Sequence, residues 1–445
     1  MLSIKTDQRT EPYTNAQANR LWMEDRAFHD WYRFVLSFPP YLVRDHLDRF
    51  GITKVQRVLD PFCGTGITLV ECKKLGIPSV GTEGNPLAQF AAQVKVDWSP
   101  DPDGLVAHAK HIAEGALAEL EATGFFDDLL AGMRPIRPDR VRFLRTLPVE
   151  QERLLLKGSI SSVPLHKALV LLEQIRSHHD ERYSRHESLA LANVLVFAVS
   201  NLHFGPEVGV GKPRQDASVV PSWLSETGRM GDDLRLVTKL ARPKAEVHLA
   251  DARQLASVLP PNSIDAVITS PPYPNEKDYT RTTRLESVIL GLIGSMAELK
   301  EVKKGLVRSN TRGVYSGDDD DRWVADNREI QRIAEAIEAR RLALGNGSGF
   351  ERMYGRVTQL YFGGMARHMA DLRRVLRPGA QRACVVGDHA SYLRVMIRTG
   401  ELLAEIAQAL GYELIGIDLF RTRFATGTRE QFREEVVLLR WRRGD

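Results

Sequence analysis

The chain has 445 residues, 43% hydrophobic and 27% charged, and its 61 basic and 57 acidic side chains leave a net charge of +4. This composition is ordinary for a globular protein, and so small a charge does not require a nucleic-acid partner, so any basic surface must be local. Three cysteines exclude a disulfide framework and a four-thiolate zinc site. No apolar run approaches the ~20 residues that cross a bilayer. Since the opening MLSIKTDQRTEPYTN also lacks an apolar signal core, we expect a cytoplasmic protein with no membrane partner.

The first predicted elements form a strand–turn–helix–strand unit. Pro39 and Pro40 are expected to open a helix, because proline is favoured at the first helical position. A short apolar strand follows over Val55–Asp60, then a glycine turn, a helix over Ile67–Leu75 and a strand over Ser79–Thr82. This order predicts a βαβ unit of a parallel sheet.

Residues 101 to about 240 follow a different pattern, without a strand of alternating polarity. Helices are predicted over Leu105–Ala122, Pro148–Leu156, Lys167–His178 and Glu187–Val199. The stretch 204–221 is rich in glycine and proline and predicts a loop. We interpret the whole region as a helical insertion.

Strands are expected to resume after residue 240, and a second mostly helical stretch runs from Tyr279 to about Arg374 with a polar interruption at 308–321. Leu376–Ala380 predicts a turn before a strand. The remaining predicted elements are strands at Glu246–Leu249, Asp265–Thr269 and Arg382–Val386, a helix at Leu402–Leu410, and an antiparallel strand pair at Glu413–Phe420 and Glu435–Trp441. Helix-covered strands dominate, which predicts an α/β fold with a mostly parallel sheet.

The turn after the first strand, Asp60-Pro61-Phe62-Cys63-Gly64-Thr65-Gly66, has the composition of a cofactor-binding loop. Glycines there let the backbone approach a ligand, and the following helix N-terminus adds amide donors. Glu83 ends the next strand, where an acid can accept hydrogen bonds from ribose hydroxyls. The spacing matches neither G-x-G-x-x-G nor a P-loop, so a tight structural turn stays an alternative. Asp251, after a later strand, could contact an adenine amino group or cap a helix.

The strand Asp265–Thr269 runs directly into Ser270-Pro271-Pro272-Tyr273. Two prolines fix the backbone and remove two N–H donors, which leaves carbonyls and the serine hydroxyl to accept hydrogen bonds from an amino group. Tyr273 offers a flat face for a planar ring. Ligands bind beyond the carboxyl ends of parallel strands, so the motif predicts a clamp for the exocyclic amine of a base. A Pro-Pro turn with a core tyrosine is the alternative, and the presence of both motifs at neighbouring strand ends weakens it.

Together these motifs resemble those of amino-group DNA methyltransferases. Asp60–Gly66 is similar to their cofactor-binding motif I, and Ser270–Tyr273 to their motif IV in the Ser-Pro-Pro-Tyr form typical of cytosine-N4 enzymes. Trp31–Val43 is similar to the N-terminal cofactor-contacting motif, and Leu376–Asp388 to the strand after motif IV. The resemblance covers the sheet-forming parts of the chain. It implies a Rossmann-like class I methyltransferase sheet with a terminal antiparallel strand.

The resemblance also implies a reaction: methyl transfer from S-adenosylmethionine to the N4 amine of cytosine in a specific sequence of double-stranded DNA, with the base flipped out. No metal and no cysteine nucleophile is required. A restriction endonuclease or another defence-system partner could accompany such an enzyme. The implied catalytic residues are Ser270, Pro271, Pro272 and Tyr273, and the implied cofactor residues are Phe38, Pro39, Asp60, Pro61, Phe62, Cys63, Gly64, Gly66, Glu83, Asn85, Asp251 and Ala252.

Two basic segments are predicted to contact DNA phosphates. They contribute Lys303, Lys304, Arg308 and Arg312 from 301–313, and Arg421 and Arg423 from 420–433. Solvated faces are the alternative for both. The acidic run Asp318–Asp321 is interpreted as a solvated helix start rather than a metal site, because no glycine follows at calcium-loop spacing.

Motif I precedes motif IV in the chain, which suggests three regions. These are the cofactor-binding half at 1–100, the helical insertion at 101–240, and the catalytic half at 241–445 with its own insertion at about 285–365. One or both insertions could be the target-recognition region. Three other functions stay open: an adenine-N6 DNA methyltransferase, an RNA methyltransferase acting on a guanine amine of tRNA, and a non-catalytic DNA-binding subunit.

Overall fold

The computed structural model describes residues 18, 20–33, 37–128, 138–205, 207–274, 277–345, 349–425 and 430–442. Its strands are β1 Val58–Asp60, β2 Ser79–Glu83, β3 Leu202–Phe204, β4 Val208–Val210, β5 Ala245–Leu249, β6 Ile264–Thr269, β7 Leu376–Gly387, β8 Tyr412–Ala425 and β9 Glu430–Trp441. Its α-helices are α1 Pro40–Arg49, α2 Ile67–Lys74, α3 Pro86–Lys95, α4 Pro102–Ala122, α5 Val149–Glu152, α6 Ser162–Ser177, α7 Ser184–Val194, α8 Val220–Val237, α9 Tyr279–Thr282, α10 Arg284–Ile289, α11 Met296–Lys304, α12 Arg328–Ala343, α13 Tyr354–Leu372 and α14 Thr399–Ala409.

Seven strands form one sheet in the order β5-β2-β1-β6-β7-β9-β8. The first five strands in this order pair in parallel. Strand β9 is antiparallel to both β7 and β8. The predicted fold class, a mostly parallel Rossmann-like sheet with a terminal antiparallel strand, is confirmed.

Helices cover both faces of the sheet because its central strands are apolar on both sides, as buried parallel strands require. Leu59 of β1 and Val267 of β6 pack with α13 and α14 on one face. Val58 and Ile268 pack with α1 on the other face. The sheet is thereby covered on both faces, and the loops at its carboxyl ends remain available to form a site.

The helices α4, α6, α7 and α8 lie in the chain between β2 and β5 and share an apolar core that includes Leu105, Leu171, Leu191 and Trp223. They form the helical part of the predicted insertion. Among the described residues, no helix is long and apolar enough to cross a membrane.

Four local predictions were wrong. Leu376–Ala380 is the first part of β7 rather than a turn, because β7 pairs with β6 on both sides of a register shift that absorbs the Pro-Gly pair. The predicted loop 204–221 contains part of the β3–β4 hairpin and the start of α8. The predicted helix 148–156 is only one turn long. The first strand begins at Val58, since Val55 is exposed and pairing with β2 starts at Val58.

Candidate active site

A cavity of about 580 Å³ lies at the carboxyl ends of β1, β2, β6 and β7. It brings both sequence motifs together, although they are about 200 residues apart in the chain. The predicted site residues that line it are Phe38, Pro61, Phe62, Cys63, Gly64, Glu83, Asn85, Ala252, Ser270, Pro271, Pro272, Tyr273, Lys303, Arg308, Arg421 and Arg423. The predicted residues outside its lining are Pro39, Asp60, Gly66, Asp251, Lys304 and Arg312.

The turn after β1 is sharp because two of its glycines adopt left-handed backbone conformations, with φ of +51° at Gly64 and +85° at Gly66. A Cβ at Gly66 would lie 3.1 Å from the Cβ of Ala92 on α3. Gly66 thus permits α2 and α3 to approach each other. It lies immediately before α2, and its left-handed backbone conformation allows the chain to turn into that helix. Gly64 lines the cavity directly.

Asp60 is buried beneath the cavity floor and joins β1 to β6. Its carboxylate accepts hydrogen bonds from the Thr68 hydroxyl at 2.7 Å, the Thr269 hydroxyl at 2.6 Å and the Phe62 amide at 3.2 Å. Burial raises its pKa to about 6, against the lowering effect of these three donors. The structure thus places Asp60 where it holds the turn and the motif IV strand together.

Glu83 ends β2 and turns its carboxylate toward the glycine turn. One oxygen accepts a hydrogen bond from the Gly64 amide at 2.9 Å, and the other from the Asn85 amide at 2.8 Å. Burial raises its pKa to about 7, although both amides favour the charged form. Glu83 lines the cavity, and each of its carboxylate oxygens can accept a further hydrogen bond.

Neighbouring predicted cofactor residues have structural partners of their own. Asn85 caps α3 through the Leu87 amide at 3.1 Å and donates to the Thr283 hydroxyl at 3.0 Å. Asp251 accepts from the Arg253 amide at 2.8 Å and from its guanidinium at 2.7 Å. The carboxylate of Asp251 is therefore used as a cap and ion-pair partner, as in the alternative interpretation, and only the adjacent Ala252 reaches the cavity.

Motif IV leaves the end of β6 and lines the cavity with all four of its residues. The Ser270 hydroxyl donates to the Val385 carbonyl of β7 at 3.2 Å and lies 3.5 Å from the Tyr273 hydroxyl. Because its proton is used in this way, the lone pairs of Ser270 Oγ can accept from an amine. The Tyr273 amide donates to the Tyr279 hydroxyl at 3.4 Å, and burial raises the pKa of the Tyr273 phenol. Tyr273 is therefore a neutral flat ring.

The predicted DNA-binding residues fall into two groups. Lys303 and Arg308 line the cavity but are nearly buried: the Lys303 ammonium lies 2.7 Å from Asp278, and Arg308 forms a bidentate pair with Asp318 at 2.8 Å. Arg421 forms a bidentate pair with Glu434 at 2.6 and 2.9 Å. These side chains order the cavity wall and have few donors left for phosphate.

The second group is more exposed. Lys304, Arg312 and Arg423 have 45%, 37% and 49% of their side-chain surface exposed. Of these, only Arg423 lines the cavity, where it lies 3.4 Å from Glu434. Exposed cations beside the cavity are the ones that can exchange their partners for phosphates.

The acidic run Asp318–Asp321 is not a solvated helix start. Asp320 is buried and pairs with Arg253 at 2.5 Å and Arg367 at 3.1 Å. Asp318 pairs with Arg308, and Asp321 with Arg356. These ion pairs tie the segment after α11 to α13 and to the turn after β5, so the run holds one wall of the cavity in place.

Several lining residues were not predicted, notably Tyr279, His389, Phe432 and Glu434. Tyr279 lies six residues after Tyr273, so motif IV proximity was an available signal. His389 directly follows the stretch Leu376–Asp388 that carried part of the resemblance. Phe432 and Glu434 carry no local signal, because they reach the cavity only through the pairing of β9 with β7 and β8.

The three cysteines are buried thiols. Burial raises the pKa values of Cys63, Cys72 and Cys384 above the ordinary value. The thiolate, which is the nucleophilic form, is therefore disfavoured at all three positions. This agrees with a reaction in which the nucleophile belongs to the substrate.

No family model matches the chain. Its sequence is similar to that of the type II methyltransferase M.BsoBI of Geobacillus stearothermophilus, with 24% identity over 458 aligned positions that cover 97% of this chain and 88% of that protein. The type II methyltransferase M.AvaI of Nostoc sp. is 23% identical over 437 positions, covering 89% of this chain and 81% of that protein. The chain is related to the type II methyltransferases. This relationship confirms the predicted resemblance, with S-adenosylmethionine as the cofactor.

A solved structure, TrmN from Thermus thermophilus, aligns with 12% identity and a TM-score of 0.29. The alignment covers 94% of this chain, but the chain spans only about half of that structure, 53%.

Proposed function

We propose that the protein transfers a methyl group from S-adenosylmethionine to the N4 amine of a cytosine in a specific DNA sequence. The relationship to type II methyltransferases supports the coarser statement, an S-adenosylmethionine-dependent DNA methyltransferase. The observation that carries the finer one is the shared cavity: a Ser-Pro-Pro-Tyr amine clamp faces the same space as the glycine turn and Glu83.

The residues present fit the cofactor. A cavity of about 580 Å³ is within the usual range for small-molecule sites, roughly 300–1,000 Å³. Glu83 would accept hydrogen bonds from the ribose hydroxyls of the cofactor. The turn at Gly64 would lie directly against the cofactor, because glycine has no Cβ in the way. Phe38 and Phe62 add apolar surface to the cavity lining. When bound, the cofactor would supply the methyl group: the base nitrogen would bond to the methyl carbon while the carbon–sulfur bond breaks with its electron pair left on sulfur, and the nitrogen would then release its proton to water.

The clamp prepares the base nitrogen for this attack. The lone pair of an aromatic amine is delocalised into its ring, so the amine is a weak nucleophile. Hydrogen bonds from its two N–H groups to Ser270 Oγ and the Pro271 carbonyl would favour a tetrahedral nitrogen and aim its lone pair at the methyl carbon. Asp60 acts indirectly, because its bonds to Thr68 and Thr269 set the spacing between the glycine turn and the clamp.

The target base must leave the duplex to reach the clamp, which costs on the order of a few kcal/mol. Stacking on the neutral Tyr273 ring would return about 1–3 kcal/mol of this cost. The proposed phosphate contacts are three exposed cations: Arg423, which lines the cavity, and Lys304 and Arg312, which are next in sequence to residues that line it. Arg312 lies 3.7 Å from Glu207 next to strand β4. The insertion 101–240 therefore reaches the same rim, which supports a role for it in target recognition.

We also propose a cognate restriction endonuclease or another defence-system partner, and the only support for it is the similarity to type II methyltransferases. It would cut DNA that this protein leaves unmethylated.

The experiment that tests the proposed function uses purified protein, labelled S-adenosylmethionine, and either duplex DNA or total tRNA, with nucleoside mass spectrometry of the product. N4-methylcytosine in DNA is expected, and Ser270→Ala is the control that should abolish most of it. N6-methyladenine would contradict the assigned base, and label only in tRNA would contradict the assigned nucleic acid. A protein that binds DNA without transferring label to either acceptor would contradict catalysis itself.

A further inference from the structure

Five buried histidines have a ring nitrogen with no hydrogen-bond partner in the described part of the chain: His29, His166, His186, His368 and His389. In four of them the other ring nitrogen forms a hydrogen bond. His29 pairs with the Glu71 carboxylate at 2.8 Å, and His166 accepts from the Arg145 amide at 3.0 Å. His186 pairs with the Asp97 carbonyl at 3.0 Å, and His368 pairs with the Ala252 carbonyl at 2.7 Å. His389 differs, because neither of its ring nitrogens bonds to a described residue.

His389 also differs in its position. It is only 4% exposed, yet it lines the cavity, which none of the other four does. Its ring centroid lies 5.3 Å from that of Tyr273, and the two planes are tilted by 52°. The unsatisfied ring therefore borders the space where a base stacked on Tyr273 would lie.

The backbone holds this ring in place. The His389 amide donates to the Ile397 carbonyl at 3.1 Å, and the Ile397 amide donates back at 2.7 Å. Within the loop closed by this bridge, Leu393 and Arg394 have φ of +55° and +64°. Consecutive non-glycine residues rarely adopt such conformations, so the loop maintains a costly geometry that fixes the position of His389.

The imidazole is neutral in this setting. Burial, followed by the nearby charges of Arg423 and Lys277, lowers the pKa of His389 to about 3. A neutral imidazole has one N–H donor and one acceptor nitrogen. A buried donor without a partner is costly, and such groups in native structures are usually satisfied by water or by a ligand.

We propose that His389 determines base specificity by donating a hydrogen bond from its ring N–H to the O2 atom of the flipped cytosine. This inference rests on the proposed function, which places the exocyclic amine at Ser270 and the ring on Tyr273. Cytosine carries the O2 acceptor two ring positions from its amine, whereas adenine has a C–H group at the corresponding position. A site that offers a hydrogen bond rejects a substrate without the partner atom, because a buried donor is then left unpaired.

The test combines a change in the enzyme with a change in the base. Duplexes carrying the mapped target sequence would contain either cytosine or 2-thiocytosine, whose sulfur is a weaker acceptor, at the methylated position. For the wild-type protein, we expect kcat/KM to fall by about 10-fold or more with the sulfur base. His389→Ala should lower kcat/KM for normal cytosine by about 10- to 100-fold and remove the sulfur effect, while the affinity for S-adenosylmethionine is unchanged. His389→Asn, which keeps an N–H donor, should recover part of the rate.

The matched control is His166→Asn, which alters a buried histidine outside the cavity and should keep the wild-type rate and the full sulfur effect. A wild-type protein indifferent to the sulfur base would overturn the inference without any mutant. So would a His389→Ala protein that retains the wild-type sulfur effect. Product analysis separates the two levels: a methylated base other than N4-methylcytosine removes the proposed function, whereas N4-methylcytosine with an unchanged sulfur effect removes only the role of His389.

Discussion

Replacement of Glu83 by glutamine tests how the cofactor is held. Glutamine keeps the shape of the side chain but removes its charge. Its NH2 group would also face a backbone N–H, that of Gly64 or Asn85, which now donates to the Glu83 carboxylate. A hydrogen bond to a charged group contributes about 1.5–3 kcal/mol, so the Kd for S-adenosylmethionine should rise about 10- to 150-fold.

The affinity for S-adenosylmethionine should also depend on pH, in a direction set by the ionisation of Glu83. The pKa of Glu83 is raised to about 7 in the free protein. Ribose hydroxyls donate to the ionised carboxylate, so cofactor binding lowers this pKa. Affinity should therefore be highest above pH 7 and fall as pH drops below it, by at most about tenfold per pH unit. In Glu83→Gln this part of the pH dependence should disappear.

Isothermal titration calorimetry between pH 6 and pH 9 would measure both effects. The matched control is Glu301→Gln, which removes an exposed carboxylate on α11 that lies outside the cavity lining and pairs with Lys304. A Glu83→Gln protein that binds S-adenosylmethionine as tightly as the wild type would refute a role for the Glu83 carboxylate in cofactor binding. A wild-type Kd that does not change between pH 6 and pH 9 would refute it as well.

Three further outcomes are expected. In single-turnover assays, Tyr273→Ala should slow methyl transfer to DNA by about 5- to 150-fold through lost stacking, with unchanged cofactor affinity. Tyr273→Phe keeps the ring and should keep most of the rate. Equal losses of rate in the two variants would contradict a stacking role for Tyr273. Asp320→Ala removes one of the two carboxylates that pair with the buried Arg253 and leaves the Asp251 pair intact, so it should cost about 1–3 kcal/mol in chemical unfolding. The exposed neighbour change Asp319→Ala should cost less than about 1 kcal/mol, and similar losses would argue against the buried network. Arg423→Ala should weaken binding to all DNA sequences alike and reduce the salt slope by about 1, which salt-dependent fluorescence anisotropy would show or refute.

The strand–turn–helix–strand unit was predictable because each of its signals is local. Asp60, the two glycines and Glu83 lie within one βαβ unit, whose handedness and parallel pairing bring consecutive strand ends together. The same reasoning placed Ser270–Tyr273 at a strand end. The antiparallel pair at the C-terminus was also predicted, since two apolar strands close in sequence pair readily.

The segments whose partners were not predicted depend on contacts that are distant in sequence. Asp318–Asp321 looks like a solvated run, but arginines from α13 and from the turn after β5 neutralise it. Arg308 looks like a phosphate ligand, but Asp318 and three backbone carbonyls occupy its guanidinium. Charge in a sequence shows which side chains are cationic, whereas their partners depend on packing.

The amino-acid sequence by itself indicated the chemistry that we propose for this protein: an acidic glycine turn for a nucleoside cofactor and a Ser-Pro-Pro-Tyr clamp for an amine, each encoded by adjacent residues. Only the tertiary structure decided that both face one cavity, that Asp60 lies beneath it, and that His389 borders it with an unsatisfied ring. The physical reason is that backbone conformation at a strand end follows from a few neighbouring residues. Burial and hydrogen-bond satisfaction follow instead from the whole set of strands and helices that pack around the site.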